Sequence, residues 1–324
     1  MVDMVAFGEA MIRLTPTRYQ RLEQTGEFLA TVGGSELNSA IGVMRLGLQT
    51  AWVSKLVNNP LGRMVANKAR EHGVDVSHVV WTKQGRTGLY FFEQGATPRA
   101  SQVIYDRANS AVSTLAPGEV DWSFLKGCRL FHTSGITPAL SKSCAEATLE
   151  AIQKAKDAGC AVSFDVNYRA RLWSAEEARA CLEKMMPSVD VLITTEDDAG
   201  IVFGKSGTPE EICKQLKSAF GFSVVTITLR EVRTVLTGGW TSMAFADRVY
   251  TDRKYDLEMV DRIGAGDAYT AGFLYGYLTG DVDKAVKYGN ANAALVQTVP
   301  GDFSWFTREE IEAQLKGPTA KVQR

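Results

Sequence analysis

Histidine is nearly absent from this chain: there are three in 324 residues (His72, His78 and His132), each in a different segment. That removes the imidazole clusters from which most zinc sites are built. Cysteine is scarce as well. Cys128, Cys144, Cys160, Cys181 and Cys213 stand singly with no Cys-x-x-Cys pair, so neither a zinc knuckle nor a disulfide framework is indicated. No apolar run approaches the roughly 18 residues of a membrane-spanning helix, and Met1 is not followed by a basic stretch, an apolar core and a cleavage site. The chain therefore reads as soluble and cytoplasmic. An excess of either charge is missing too: 36 Lys plus Arg against 37 Asp plus Glu leave a formal net charge of −1. With no global field to draw nucleic acid or an anionic membrane, any anion site has to be built locally, and the expected partner is a small molecule.

What the chain does have is length for a large core, 324 residues at 45% hydrophobic, and a regular alternation of short apolar runs with helical patterns. Residues 2–8 read as a buried strand ending at Gly8, and a helical pattern through Ala40, Ile41, Val43, Met44 and Leu46 stops at Gly47. A strand over 51–57 and a helix over 61–72 follow. Further on come strands over 129–133, 161–166, 189–194 and 224–229, separated by helices over 142–158, 175–186 and 209–220. A hairpin around Gly238-Gly239 is expected within 234–250, and helices over 283–296 and 307–315 close the chain. Such alternation predicts a three-layer α/β/α sandwich on a mainly parallel sheet. It breaks over 83–107, where residues 87–93 and 101–105 read as antiparallel strands joined by a loop over 95–98. With parts of 12–32 they form a small β-sheet off the main layer, so 1–324 reads as a single α/β domain with a lid inserted from about 12–32 and 83–107.

Two glycine turns carry the chemistry. Asp261-Arg262-Ile263-Gly264-Ala265-Gly266-Asp267 runs into an apolar helical segment over 270–278. A small-residue turn opening a helix aims successive backbone N–H groups at one point, and the helix dipole makes that point electropositive. Gly264 and Gly266 remove the Cβ atoms that would hold a phosphate away, and Asp267 stands at the helix entrance, where its carboxylate can face the contents of such a cradle. Taken alone, the string also fits an ordinary turn with Asp267 as a helix cap. The other turn, Gly33-Gly34-Ser35-Glu36-Leu37-Asn38-Ser39-Ala40, lies far upstream and is followed by Arg45-Leu46-Gly47.

In this order, with a β-lid between them, the two turns resemble the two signatures of the ribokinase-like (PfkB) sugar kinases, and the resemblance covers essentially the whole chain. It implies ATP and Mg²⁺ as cofactors, with a monovalent cation as a further candidate. It also implies a lid closing over the sugar and phosphate transfer at the carboxyl edge of the main sheet. Asp267 takes the implied role of general base towards the accepting hydroxyl, and the N–H groups of Gly264, Ala265 and Gly266 that of stabilising the transferring phosphoryl. Gly34 and Asn38 resemble the positions where the family packs its sugar and hydrogen-bonds its hydroxyls. Glu9, at a strand end, stays outside the expected site.

Asp165-Val166-Asn167-Tyr168-Arg169, followed by Leu172-Trp173, is similar to the string of the 2-keto-3-deoxygluconate kinases, which phosphorylate a six-carbon sugar acid at its terminal hydroxyl. Gly88-Leu89-Tyr90 and Tyr105-Asp106-Arg107, with Ser110-Ala111 after them, match the lid of that subfamily. A sugar acid brings a carboxylate, which an arginine fork fits bidentately. Arg107 and Arg169 are accordingly the expected carboxylate readers, with Tyr90, Tyr105 and Asn167 completing the substrate side. The nucleotide side departs from the family pattern. Arg230 and Arg233 stand where Gly-x-x-Gly usually lies, and they could either contact phosphates or narrow the pocket. Thr195, Thr228 and Arg230, with Gly264 and Gly266, form the expected nucleotide contacts. Asp198, in Thr195-Glu196-Asp197-Asp198, keeps the carboxylate expected at the metal, and Arg262 replaces the more usual threonine.

A kinase of a neutral sugar such as fructose or ribose is the alternative within the family. A catalytically weak sugar- or nucleotide-binding regulator is the alternative outside it. Neither the epimer of the acid nor the nucleotide preference is fixed by these residues. An exposed lid sheet is an edge to be covered, which implies a homo-oligomer: a lid-paired dimer or a larger assembly.

Overall fold

Burial with a period of two builds the main sheet: in β1 (Met4–Phe7), Met4 and Ala6 enter one hydrophobic core while Val5 and Phe7 enter the other. The computed structural model describes residues 1–317. From β1 the chain passes through β2 (Met11–Pro16), β3 (Phe28–Gly33), α1 (Ser35–Arg45), β4 (Thr50–Val53) and β5 (Lys55–Val57). Next come α2 (Pro60–Glu71), β6 (Val80–Thr82), β7 (Leu89–Glu93) and β8 (Gln102–Asp106). Alternation then takes over with β9 (Leu130–Ser134), α3 (Ile136–Ala139), α4 (Lys142–Asp157), β10 (Ala161–Asp165), α5 (Ala175–Leu182) and β11 (Val191–Thr195). α6 (Glu196–Phe203), α7 (Pro209–Phe220), β12 (Val224–Val232), β13 (Thr237–Phe245), β14 (Val249–Thr251) and β15 (Tyr255–Glu258) follow, and α8 (Ala265–Thr279), α9 (Val282–Val296) and α10 (Arg308–Leu315) end the fold.

The main sheet runs β4-β1-β9-β10-β11-β12-β13-β14, with β15 also paired to β13. Its strands are parallel from β4 to β12, and β13 turns antiparallel. α1, α8 and α9 pack together over the core that holds Trp52, Tyr269 and Phe273. α4 and α7 cover the opposite core, built on Phe131, Phe164 and Phe222. This is the α/β/α sandwich expected. Strand order reverses beside β1, which lies between β4 and β9, and ligands of open α/β sheets bind outside the carboxyl ends at such a point. A separate four-stranded sheet, β3-β2-β7-β8, is built from the segments where the lid was expected. Among the described residues no helix is long and apolar enough to cross a membrane.

Three local expectations are corrected. Residues 51–57 are not one strand: the chain bends at Ser54, and β5 leaves the main sheet to pair in parallel with β6. Burial continues through the bend, so apolar patterning gives no sign of it. Gly238-Gly239 is not a hairpin turn but part of β13. The turn lies just before it, where Thr234 Oγ1 accepts from the N–H groups of Leu236 and Thr237, and a Cβ on Gly238 would sit 2.3 Å from the carbonyl oxygen of Glu231. Finally, α6 was missed; Thr195 caps it, with Oγ1 accepting from the Asp198 N–H at 3.0 Å.

Candidate active site

The second glycine turn opens α8, the helix packed between α1 and α9. Gly264 has φ 84°, and a Cβ there would lie 2.1 Å from the carbonyl oxygen of Asp302, so both its backbone conformation and its surroundings require glycine. The first helical bond of α8 runs from the Ala268 N–H to Gly264 O, which leaves the N–H groups of the preceding turn without intrahelical partners. Asp267 sits in that turn. Its Oδ1 accepts from Ser35 Oγ at 2.7 Å and its Oδ2 from Asn38 Nδ2 at 2.6 Å. Asn38 Oδ1 in turn accepts from the Gly34 N–H at 3.1 Å. The N-termini of α1 and α8 thus meet across one carboxylate. Burial raises the Asp267 pKa to about 6, opposed by the Asn38 and Ser35 hydrogen bonds.

The lid side carries two ion networks. Glu9, buried at the end of β1, accepts from Arg107 Nε at 2.8 Å and from Ser110 Oγ at 2.5 Å, and Arg107 Nη2 adds a second contact. Deeper in, Arg13 of β2 bridges Asp261 and Asp302, and the Tyr90 hydroxyl donates to Asp302. Asp261 also holds the glycine turn, accepting from the Ile263 N–H at 3.0 Å. Strands β2 and β7 of the small sheet are therefore tied to the second glycine turn through buried charges. The Tyr105 ring lies 5.9 Å from that of Tyr90.

Along the carboxyl ends of β10, β11 and β12 lie the remaining expected residues. Asn167, with φ 41°, donates through Nδ2 to Ser35 Oγ at 3.0 Å. Asp165 is pushed up to about 8, first by burial and then by the charges of Asp267 and Asp198, against Arg169 and Arg230. Asp198 is raised as well, by burial, with Arg169 opposing. All fifteen expected site residues line one cleft of about 510 Å³, together with Glu9, Ser35, Asp165, Arg262 and Asp302.

Arg233 is the exception among the residues considered for phosphate contact. It turns away to pair with Asp256 and Glu231. β12 ends at Val232, so Arg230 projects from the strand whereas Arg233 stands in the turn that follows, its N–H donating to Thr237 O at 3.1 Å. The cleft arginines also differ in availability. Arg107 already holds Glu9, whereas Arg169, Arg230 and Arg262 have no carboxylate at ion-pair distance among the described residues. Ser35 and Asp302 were not singled out from sequence, and Glu9, left outside the expected site there, lines the cleft. The detectable signal was Glu9, a carboxylate in an otherwise apolar strand end. No cluster of three or more His, Cys, Asp or Glu side chains that could cage a metal is found among the described residues. That leaves the mode usual for Mg²⁺, one or two carboxylates completed by phosphates and water, for which Asp165 and Asp198 are hard oxygen donors.

The model of the pfkB family of carbohydrate kinases matches residues 1–305. The chain belongs to that family. It is 40% identical to a 2-dehydro-3-deoxygalactonokinase of Haloferax volcanii, with 99% of each chain covered. It is 33% identical to a 5-dehydro-2-deoxygluconokinase of Bacillus licheniformis, over 91% of this chain and 89% of the relative. The crystal structure of a 2-dehydro-3-deoxygluconokinase from Thermotoga maritima superposes with a TM-score of 0.94 at 40% identity, covering 98% of both chains.

Proposed function

We propose that this carbohydrate kinase uses ATP and Mg²⁺ to phosphorylate the terminal 6-hydroxyl of 2-keto-3-deoxygluconate or its galactonate epimer. The observation that carries the reading is Asp267: a carboxylate oriented at both oxygens, beside unsatisfied helix N–H groups, in a cleft that also presents the unpaired guanidinium of Arg169. The three relatives support it, since each is named for a dehydro-deoxy sugar acid of six carbons.

In this mechanism Asp267 takes the proton of the 6-hydroxyl as the oxygen attacks the γ-phosphorus. The bond from that phosphorus to the β,γ-bridging oxygen breaks, and ADP leaves. The N–H groups of Gly264, Ala265 and Gly266 face the charge on the transferring phosphoryl, for which placement and neutralisation matter most. Mg²⁺, when bound, supplies charge neutralisation on the phosphates. Asp165 and Asp198 would hold it, and its charge would oppose the burial that raises the pKa of both, as Arg169 and Arg230 already do. Gly34, Asn38, Asn167, Tyr90 and Tyr105 enclose the sugar chain and Arg169 receives its carboxylate, with Arg107, already paired to Glu9, contributing less to the same recognition. Thr195, Thr228 and Arg230 border the nucleotide.

Two further assignments belong to this reading. The lid face turned away from Tyr90 exposes Phe28 and Ile104 on its two outer strands, an apolar patch suited to a second lid in a homodimer; a monomeric mass in sedimentation at micromolar protein counts against it. Five free cysteines and an ATP-consuming reaction fit the cytoplasm. The activity is tested by following ADP release with 2-keto-3-deoxygluconate, its galactonate epimer, 5-keto-2-deoxygluconate, fructose and ribose. Turnover confined to the first two supports the assignment. Preference for the third moves the substrate, and preference for a neutral sugar overturns the sugar-acid reading.

A further inference from the structure

Arg230 stands where the family pattern resembled by this chain has glycine, and the structure gives that side chain a rigid mount. β12 and β13 stay paired from Val225↔Phe245 to Val232↔Gly238, with Arg230 directly opposite Trp240. The arginine therefore projects from a regular strand pair and not from a flexible loop. Its guanidinium lies over the buried Trp240 ring, 5.0 Å from the centroid. The Trp240 ring is 6.1 Å from that of Tyr269 in α8, and the Tyr269 hydroxyl lies 2.6 Å from Thr226 Oγ1 in β12. Aromatic seat, strand and helix are thus parts of one packed block, over which the exposed Arg230 side chain lies.

The guanidinium points at the cradle. Arg230 Nη2 lies 3.1 Å from where a Cβ on Gly266 would be, so the second glycine of the turn is what leaves room for it. A cation at a helix N-terminus faces the positive end of the dipole, an arrangement that is unfavourable unless an anion lies between them. No side chain takes that place among the described residues: Arg230 has neither an ion pair nor a hydrogen bond, although Asp165, Asp198 and Asp267 are close enough to act on its charge. Two electropositive features converge on the spot beside the Asp267 base.

We propose that Arg230 is a catalytic arginine supplied within the chain, its guanidinium neutralising charge on the transferring phosphoryl and the departing β,γ-bridging oxygen. The inference rests on the phosphotransfer reading and adds a contact made most strongly in the transition state. Interactions that strengthen only there raise kcat without tightening ground-state binding, and arginines in this role contribute roughly 10³–10⁵-fold in other nucleotide enzymes.

The experiment compares wild type with Arg230→Gly, Arg230→Ala and Arg230→Lys in two measurements. One is steady-state kcat and KM for ATP, with and without added guanidinium. The other is calorimetric affinity for Mg²⁺-ADP alone and for Mg²⁺-ADP with aluminium fluoride, a mimic of the transferring phosphoryl that can be measured whichever sugar is the substrate. The expected result is a kcat lowered roughly 10²–10⁴-fold in the Gly and Ala variants, a KM for ATP changed only a few-fold, and partial rescue of Arg230→Ala by guanidinium. ADP affinity should hold, which also reports an intact fold, while the tightening produced by aluminium fluoride in wild type should be lost. A raised KM with kcat retained would make Arg230 a ground-state phosphate contact and overturn the proposal. Faster turnover or tighter ATP binding in Arg230→Gly would make it an obstruction, with the same consequence. A wild type inactive on the whole sugar panel, yet tightened by aluminium fluoride through Arg230, would sink the substrate assignment and leave the arginine's role standing.

Discussion

Replacing Asp267 with asparagine isolates the proton-transfer step. The carboxylate accepts from Ser35 Oγ at 2.7 Å and from Asn38 Nδ2 at 2.6 Å. Asparagine can keep an oxygen towards Asn38 and turn its amide towards Ser35, whose hydroxyl accepts as well as donates. The change should therefore cost about 1 kcal/mol of stability or less, with sugar affinity preserved. What disappears, in the proposed mechanism, is the acceptor for the hydroxyl proton, worth roughly 10²–10⁴-fold in kcat, or about 2.7–5.5 kcal/mol of activation free energy. The pH profile adds a second, independent reading. Burial lifts the Asp267 pKa to about 6, and a base works only when ionised. Wild-type kcat/KM should thus fall about tenfold per unit as pH drops below that value, while the residual rate of Asp267→Asn should show no bend there. ADP quantified by chromatography avoids the pH limits of coupling enzymes. Near-normal turnover in the variant, or a residual rate that still bends near the same pH, would remove Asp267 from the base role.

Arg169→Ala should lower kcat/KM on the keto-deoxy acid by roughly 10- to 10³-fold, less than for a fully enclosed pair because Arg169 stands exposed, and should change any fructose or ribose activity much less. Arg107→Ala should lower it less, since Glu9 already occupies one edge of that guanidinium; equal losses on acid and neutral sugars would assign both arginines to the lid. Glu9→Gln should destabilise the protein by about 2–4 kcal/mol in urea unfolding, because it removes one partner of a mostly buried pair, and an unchanged midpoint would contradict this. Glu36 is buried completely, with Oε1 accepting from Ser134 and Thr137, and burial lifts its pKa to about 7. The folded state then holds a proton that the unfolded chain releases, so this group's contribution is full below the unfolded value of 4.5 and is lost as pH rises through about 7. Between about pH 5 and pH 8 wild type should lose roughly 2–3 kcal/mol relative to Glu36→Gln, and parallel stability curves for the two proteins would refute the burial argument.

What was legible in the sequence followed local rules, and what was not depended on which side chains meet across the fold. Alternating apolar runs specified the three layers, because each run had to bury itself with a fixed period. The second glycine turn was legible because Gly264 answers a backbone requirement that glycine alone meets. Ser35 and Asp302 were not, since their importance comes from partners: Ser35 from Asp267, and Asp302 from Arg13, 289 positions away. The arginines show the difference most sharply. Arg230 and Arg233 look equivalent as cations near a nucleotide loop, yet β12 carries the first as a strand residue and ends at Val232, leaving the second in a turn where Glu231 and Asp256 hold it. Arg107 and Arg169 look equivalent as carboxylate forks, yet only one of them meets Glu9. Residue type states what a guanidinium can bind, whereas the fold decides whether a carboxylate is already there. A substrate carboxylate entering this cleft would be repelled by Glu9 beside Arg107 and meet no such competitor at Arg169, which is why discrimination between acid and neutral sugars should rest more heavily on Arg169.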